Sequence, residues 1–405
     1  KEEERQSWFS HKSEMVTPYY YSVYLADHNV TTEITPTERA ARFRFTFPET
    51  DKAYVVIDAF DKGSYVKIIP SERKIIGYTT KNSGGVPENF KNYFVIIFDR
   101  DFELNSTFSG DVLGNALEMK ADHAGAVIGF KTKEGEKVNA QVASSFISYD
   151  QAELNLKEIG KDDFDQLKEK GKAVWNKELS RIKVDGGTPD QIGTFYSCLY
   201  RSLLFPRKFY EFDKNKKVVH YSPYNGKVLP GYMFVDTGFW DTFRALYPFL
   251  NLMYPKLNTQ MQEGLSNAFN ESGWLPEWSS PGLRDIMVGN NSASIVSEGY
   301  LKSGKVKKYD IENLYKAVIH GANNAGPLRA VGRAGVDSYN SLGYVSHDEI
   351  NESAARTLEY AYDDFAIYQL AKALNKPQSE IDLYKKRSLN YKNLFDPKYN
   401  LMHPK

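Results

Sequence analysis

A chain of 405 residues with 41% hydrophobic content is long enough for two or three domains and ordinary for a folded protein. Lys+Arg and Asp+Glu both number 52, and no basic run carries interleaved aromatics, so neither nucleic acid nor an anionic membrane is an expected partner. A single cysteine, Cys198, rules out an internal disulfide framework and a cysteine-based metal site within the chain, and its apolar, helix-like neighbourhood reads as core.

The first 150 residues read as β-structure. In RFRFTF (42–47) Phe43, Phe45 and Phe47 alternate with Arg42, Arg44 and Thr46, the period of a half-buried strand. Strand-length runs follow at 19–25, 54–60, 74–80, 93–99, 126–132 and 140–148, separated by turn residues such as KNSGGVPENF. An antiparallel β-sandwich is the expected product.

After Gly160 the pattern turns helical. Phe164, Leu167, Gly171, Val174, Trp175, Leu179 and Ile182 recur every three or four residues, marking a linker helix with one apolar stripe that should cross a domain junction. Thr188, Pro189 and Gln191 fit an N-cap, a first helical position and a capping-box partner. Helices are predicted over roughly 189–205, 238–253, 258–270, 287–303, 310–325, 347–374 and 378–394. Asp310 reads as an N-cap, and Ser346 with Glu349 as a second capping box. These periods divide the chain into a sandwich over 1–158, a linker helix over 159–186 and a helical domain over 187–405. The segment NESGWLPEWSSPGLRDIMVGNNSAS is a long loop of Gly, Pro, Trp and amides, and loops of that length in a compact domain usually carry function.

Three clusters carry candidate chemistry. Trp240, Asp241 and Arg244 stand at i, i+1 and i+4, which puts an indole, a carboxylate and a guanidinium near one side of a helix start. Together they suit a sugar: stacking on its C–H face, with hydroxyl hydrogen bonds accepted and donated. The plain alternative is an Asp241–Arg244 ion pair. Trp274, Glu277 and Trp278 form a second group, readable as sugar-binding or as a hydrophobic plug with a solvated Glu. The run from His347 to Asp364 is acidic, with Glu352, Glu359 and Asp363 able to share a helix face, although acidic residues at a helix start are favoured by its dipole in any case. No phosphate loop, HExxH pair or nucleophile elbow is present. With 28 Tyr, 24 Phe and 5 Trp the chain is rich in aromatics, as suits either sugar binding or a sandwich core.

The stretches GFWDTFRALYPFLNLMYP, SGWLPEWSSPG, MVGNNSASIVSEGYLKSG and TLEYAYDDFAIYQLAKAL, with FSHKSEMVTPYYYSVYL and EITPTERAARFRFTFP ahead of them, resemble glycoside hydrolase family 92. The resemblance implies a calcium-dependent, exo-acting α-mannosidase that works with inversion on mannose-containing glycans. It implies an N-terminal sandwich followed by an (α/α)6 barrel, of which about half falls in this chain. Trp240, Asp241 and Arg244 then take the positions that hold the terminal mannose, and Trp274, Glu277 and Trp278 line the same mouth. The general acid Glu, the base Asp and most Ca2+ ligands are expected downstream of LFDPKYNLMHPK, and the family's extreme N-terminus upstream, so the chain reads as part of a longer enzyme. Asn290 and Asn291 depart from the acidic residue and His of many members, which bears on aglycone preference. Export to the periplasm or cell surface of a bacterium is expected, although KEEERQSWFSH is not a signal peptide and no run approaches the ~18 apolar residues of a membrane span. The other readings of the same residues are a non-catalytic carbohydrate-binding protein and a different (α/α)6 enzyme, a phosphorylase or a lyase.

Overall fold

Alternating apolar residues in the first third of the chain build two antiparallel sheets. In the computed structural model, which describes residues 5–302 and 308–405, the strands are β1 (Met15–Thr17), β2 (Tyr20–Leu25), β3 (Val30–Pro36), β4 (Ala40–Phe47), β5 (Thr50–Asp58), β6 (Ser64–Ile69), β7 (Lys74–Thr79), β8 (Asn92–Phe98), β9 (Leu104–Ser109), β10 (Val112–Gly114), β11 (Glu118–Ala121), β12 (Ala124–Thr132) and β13 (Glu136–Ser145). Nine of them form one sheet in the order β1-β2-β3-β4-β13-β8-β7-β6-β11, and four form a second in the order β10-β9-β12-β5. Phe47, Val66, Ile68, Ile75 and Phe98 of the first pack against Ala53, Ile57, Ala126, Ile128 and Phe130 of the second in one apolar core. Every strand read from the sequence is present. β1, β3, β6 and β9 to β11 were not expected, because short or hydroxyl-rich segments such as LNSTFS lack the alternation that marks the others.

Two helices cover the outer face of the larger sheet. Ser148 caps α1 (Tyr149–Asn155), and Asp163 with Gln166 forms a complete capping box on α2 (Phe164–Leu179). Arg44 on β4 clamps α2 to the sheet: its guanidinium reaches Glu33 at 2.6 Å and Asp165 at 3.0 Å and lies 4.1 Å from the Phe164 ring centroid. Of the apolar stripe expected on this helix, Phe164 and Leu167 are buried while Val174 is 60% exposed. The next helix, α3 (Pro189–Arg201), starts where the sequence placed it, with Thr188 and Gln191 exchanging hydrogen bonds of 2.9 and 3.3 Å. It buries Leu199 and turns Cys198 outwards, so the cysteine is exposed rather than part of the core. Compactness groups residues up to 82, 89–201 and 213–215 as one unit, and 83–88, 202–212 and 216–405 as another.

The second unit is mainly helical. Short strands come first: β14 (Arg207–Lys208) pairs with β18 (Phe234–Val235), and β15 (Tyr210–Phe212), β16 (Val218–Tyr221) and β17 (Val228–Pro230) form a small sheet. Two-residue strands β19 (Thr237–Gly238) and β20 (Trp278–Ser279) pair across a long interval of sequence. The helices are α4 (Phe239–Thr242), α5 (Leu246–Met253), α6 (Pro255–Ser272), α7 (Ser292–Lys302), α8 (Ile311–Asn323), α9 (Val336–Leu342), α10 (Ser353–Ala373) and α11 (Gln378–Arg387). Phe239, Leu250, Met261, Val296, Leu314, Ile367 and Tyr384 unite all of these but α9 in one core, and Tyr339 of α9 packs with Val345 and Tyr360 in a smaller one.

Several boundaries differ from expectation for identifiable reasons. The single helix expected over 238–253 is two, because Pro248 has no N–H and its ring would strike the carbonyl of Arg244 in a continuous helix. Ser346 caps nothing: its carbonyl accepts from Glu349 and Ile350 in a turn, and α10 begins only after Glu352, which stands at a φ of 63°. Asp310 does cap α8, accepting from the Asn313 N–H at 2.9 Å. The predicted end of α7 at 303 lies outside the described residues.

α10 carries a fully buried ion pair. Asp364 accepts from Arg333 at 2.8 Å, the Tyr339 hydroxyl at 2.8 Å and Arg387 at 3.1 Å, and neither Asp364 nor Arg333 has any exposed side-chain surface. Substituting Asp364→Ala strands a guanidinium away from water. A loss of ~3–5 kcal/mol is expected in urea titrations, whereas a loss below about 1 kcal/mol would deny the pair its structural role.

Candidate functional site

The GFWDTFR stretch is held in place by the loop that follows α6. Gly238 pairs with Trp278 and Thr237 with Ser279, and the Phe239 N–H donates to the Glu277 carbonyl at 2.9 Å. The Trp278 ring rests directly on Gly238, where an added Cβ would lie 2.0 Å from the indole, so any larger residue displaces the ring. α4 then makes a single turn. Phe239 and Phe243 drop into the core with Tyr247, which leaves Trp240 partly exposed and Asp241 and Arg244 exposed.

Asp241 and Arg244 do not pair. Arg244 turns back over the preceding turn, donating to the Trp240 carbonyl at 2.9 Å, and its other nitrogen reaches Glu359 on α10 at 2.8 Å. Its guanidinium lies 5.5 Å from the Trp240 ring centroid and 4.2 Å from that of Phe243. Asp241 makes no hydrogen bond or ion pair with the described residues. Two buried polar atoms adjoin this corner without a partner among those residues, Trp240 Nε1 and the second oxygen of Glu359.

Glu277 is not a solvated rim residue. It is 6% exposed and accepts from the Asn290 amide at 2.8 Å, the Ser292 N–H at 2.9 Å and the Ser292 hydroxyl at 2.6 Å, at the start of α7 where the helix dipole favours negative charge. Asn290 links it to α10, its N–H donating to Asp363 at 2.8 Å, and the Ser294 hydroxyl holds the other Asp363 oxygen at 3.0 Å. Burial pushes the Glu277 carboxyl up to about 8 against the lowering effect of Ser292 and Asn290. It pushes Asp363 up to about 7, with Arg333 opposing. An Asn at position 290 gives Glu277 a donor where an acid would have added a further buried negative charge.

The structure thus brings Trp240, Asp241, Arg244, Glu277 and Trp278 together through one backbone ladder. Trp274 stands apart from it, its ring 4.4 Å from His320 and close against Gly332. Glu359 was visible in the acidic run, but its tie to Arg244 spans 115 residues and no local pattern signals it. Among the described residues no three His, Cys, Asp or Glu side chains converge as a metal shell, and no helix is long and apolar enough to cross a membrane.

A sheet domain precedes a helical domain in the chain, and the helical one presents an indole, a carboxylate without a partner among the described residues and an anchored guanidinium together. The glycosyl hydrolase family 92 N-terminal domain model matches residues 1–145 and the family's catalytic domain model matches 151–405, so the chain belongs to glycosyl hydrolase family 92. It is similar to an inverting mannosidase of that family from Bacteroides thetaiotaomicron, at 43% identity and a TM-score of 0.96, with 100% of this chain and 55% of the other covered. A second α-mannosidase of the family from the same organism, solved with mannoimidazole, is 30% identical with a TM-score of 0.88, over 98% of this chain and 53% of that one. An uncharacterized secreted glycosidase of Arthroderma benhamiae is 25% identical over 97% of this chain and 51% of its own length. The chain therefore spans about half the length of the relatives it matches.

The raised Glu277 carboxyl gives a signed expectation. Its contribution to stability is complete below the ordinary carboxylate range and is lost as pH rises through about 8. Glu277→Gln keeps a hydrogen-bonding group at the position without the charge. Thermal melts of this variant should fall less between pH 5 and pH 8.5 than those of the parent, and parallel falls would show that Glu277 does not titrate there.

Proposed function

We propose that the protein containing this chain is an exo-acting α-mannosidase that removes terminal mannose from glycans with inversion, depends on calcium and works outside the cytoplasm. The observation that carries the reading is the Trp240–Asp241–Arg244 corner, open to solvent and with Arg244 fixed by Glu359. The likeness to two mannosidases over essentially the whole chain supports it, and the secreted relative supports the location.

In this reading the Trp240 indole stacks on the C–H face of the sugar, Asp241 accepts from its hydroxyls and Arg244 donates to them. Anchoring Arg244 beforehand removes the entropy of fixing a long side chain when the sugar arrives. Trp278 extends the aromatic wall. Glu277, enclosed and with both oxygens engaged, shapes the wall from behind. Inversion needs an acid and a base about 6.5–9.5 Å apart, on opposite faces of the sugar, with room for water between them. Neither role is assigned to a residue of this chain.

Calcium takes six to eight oxygen ligands, as a hard cation does. The residues described here do not supply such a shell: Glu277 and Asp363 spend their oxygens on Asn290, Ser292 and Ser294, and Glu359 holds Arg244. The calcium dependence therefore concerns the whole enzyme, and no step above passes through the ion.

The test is a panel of linkage-defined mannobioses given to the intact protein, with and without EDTA. Mannose release that stops with the chelator is the expected outcome. Asp241→Ala should lower turnover by roughly 100-fold with an unchanged circular dichroism spectrum. Undiminished turnover in that variant would remove the assigned role, and binding without any hydrolysis would favour a carbohydrate-binding protein.

A further inference from the structure

Trp278 stands on a hairpin that is tied down on two flanks. After β20 the chain doubles back at once: Ser279 bridges Leu283, the Ser280 N–H donates to the Gly282 carbonyl at 2.9 Å, and the Arg284 N–H donates to the Trp278 carbonyl at 3.0 Å. Residues 278–284 thus form a tight loop with the indole at its base. Asp236 fixes the first flank, its N–H donating to the Ser279 carbonyl at 2.8 Å and its carboxylate accepting from the Ser280 hydroxyl at 2.9 Å.

The second flank is fixed by a distant stretch of sequence. Residues 83–88 lie in the chain between β7 and β8, yet they group with the second compact unit. Arg284 reaches back 201 residues, donating through one Nη to both the carbonyl and the hydroxyl of Ser83, at 2.7 Å each. Beside this tie the two backbones meet with no side chain between them. A Cβ on Gly282 would stand 1.6 Å from the Gly85 carbonyl oxygen, and a Cβ on Gly85 would stand 2.5 Å from that of Leu283 and 3.5 Å from the Arg284 stem. Gly85 also sits at a φ of 76°, a conformation that side chains other than hydrogen disfavour.

The hairpin needs such support because of what lies under the indole. The Trp278 ring rests on Gly238, which offers no side chain to key its orientation. Its place beside the corner is therefore set by the backbone that carries it. A tryptophan on an untethered loop would have to be ordered each time a ligand arrived, and that entropy would come out of the affinity.

We propose that Arg284, acting through residues 83–88, is a positioning residue for Trp278: it holds the indole in place before a sugar arrives and touches no substrate itself. The proposal rests on the reading of Trp278 as part of the aromatic wall.

The test is steady-state kinetics of the intact protein on the mannobiose it cleaves, joined to amide hydrogen exchange. Arg284→Ala should raise KM roughly fivefold, the cost of ordering one large side chain on binding, and leave kcat unchanged, as the loss of uniform binding does. Arg284→Lys, whose ammonium can donate to the same two Ser83 oxygens, should restore most of the affinity. Gly85→Ala, whose added Cβ drives the segment off Leu283, should reproduce the rise by a second route. The double variant of Trp278→Ala with Arg284→Ala should match Trp278→Ala alone within about twofold, since nothing is left to position. Exchange at the Ser280 and Arg284 amides should quicken in Arg284→Ala. The proposal is overturned if Arg284→Ala leaves KM and exchange unchanged, or if the two single effects multiply in the double variant. An unchanged KM in Trp278→Ala removes Trp278 from the wall and this proposal with it, whereas a raised KM there beside an unchanged one in Arg284→Ala removes this proposal alone. The mannosidase reading stands or falls on the turnover of the parent, and the exchange result needs none.

Discussion

One helix, α10, holds the Trp240–Asp241–Arg244 corner from two directions. Asp363 fixes the turn before α7 through Asn290, Asn290 and Ser292 fix Glu277, and the Glu277 carbonyl receives the N–H of Phe239, which starts α4. One turn earlier on the same helix, Glu359 holds Arg244. Trp240 and Asp241 therefore stand between two restraints that originate on a single rigid element. Asp364, next in sequence to Asp363, faces the other way and locks α10 to Arg333 and Arg387. Buried carboxylates are costly unless fully engaged, and here each is engaged by a different neighbour, so moving α10 would break contacts on both sides together.

This arrangement explains which parts of the molecule could be read from the sequence. Ala40–Phe47 was legible through the alternation of Phe43, Phe45 and Phe47 with polar residues, and Asn92–Phe98 through a continuous apolar run of strand length. Caps written in three or four residues, Thr188 with Gln191 and Asp310 with Asn313, were legible for the same local reason. The break between α4 and α5 was written in Pro248 and masked by the apolar run around it. The Glu277 environment was not legible, since its donors lie thirteen and fifteen residues away and its burial depends on helices still more distant. The aromatic and charged residues of the corner could be listed from sequence, but not which charge pairs with which.

β5 ends the four-stranded sheet, and among the described residues no strand pairs with its outer edge, which presents a different physical problem from the buried acids. There the groups at issue belong to the backbone, so replacing the side chain of the residue that carries them leaves them in place. Thr50 silences the Lys52 N–H, a local remedy that a hydroxyl two residues away can provide. Among the described residues Tyr54 and Val56 have no such neighbour, and both are large and apolar where exposed edges commonly carry charge.

The Arg244–Glu359 pair settles what kind of attraction that arm of the corner can exert. A guanidinium already matched by a carboxylate at 2.8 Å projects little field beyond its own surface, and what remains available is the direction of its N–H bonds. Such a group discriminates by shape and hydroxyl orientation rather than by formal charge. Under the proposed function, an uncharged polyol should therefore be gripped by this arm as firmly in concentrated electrolyte as in dilute buffer.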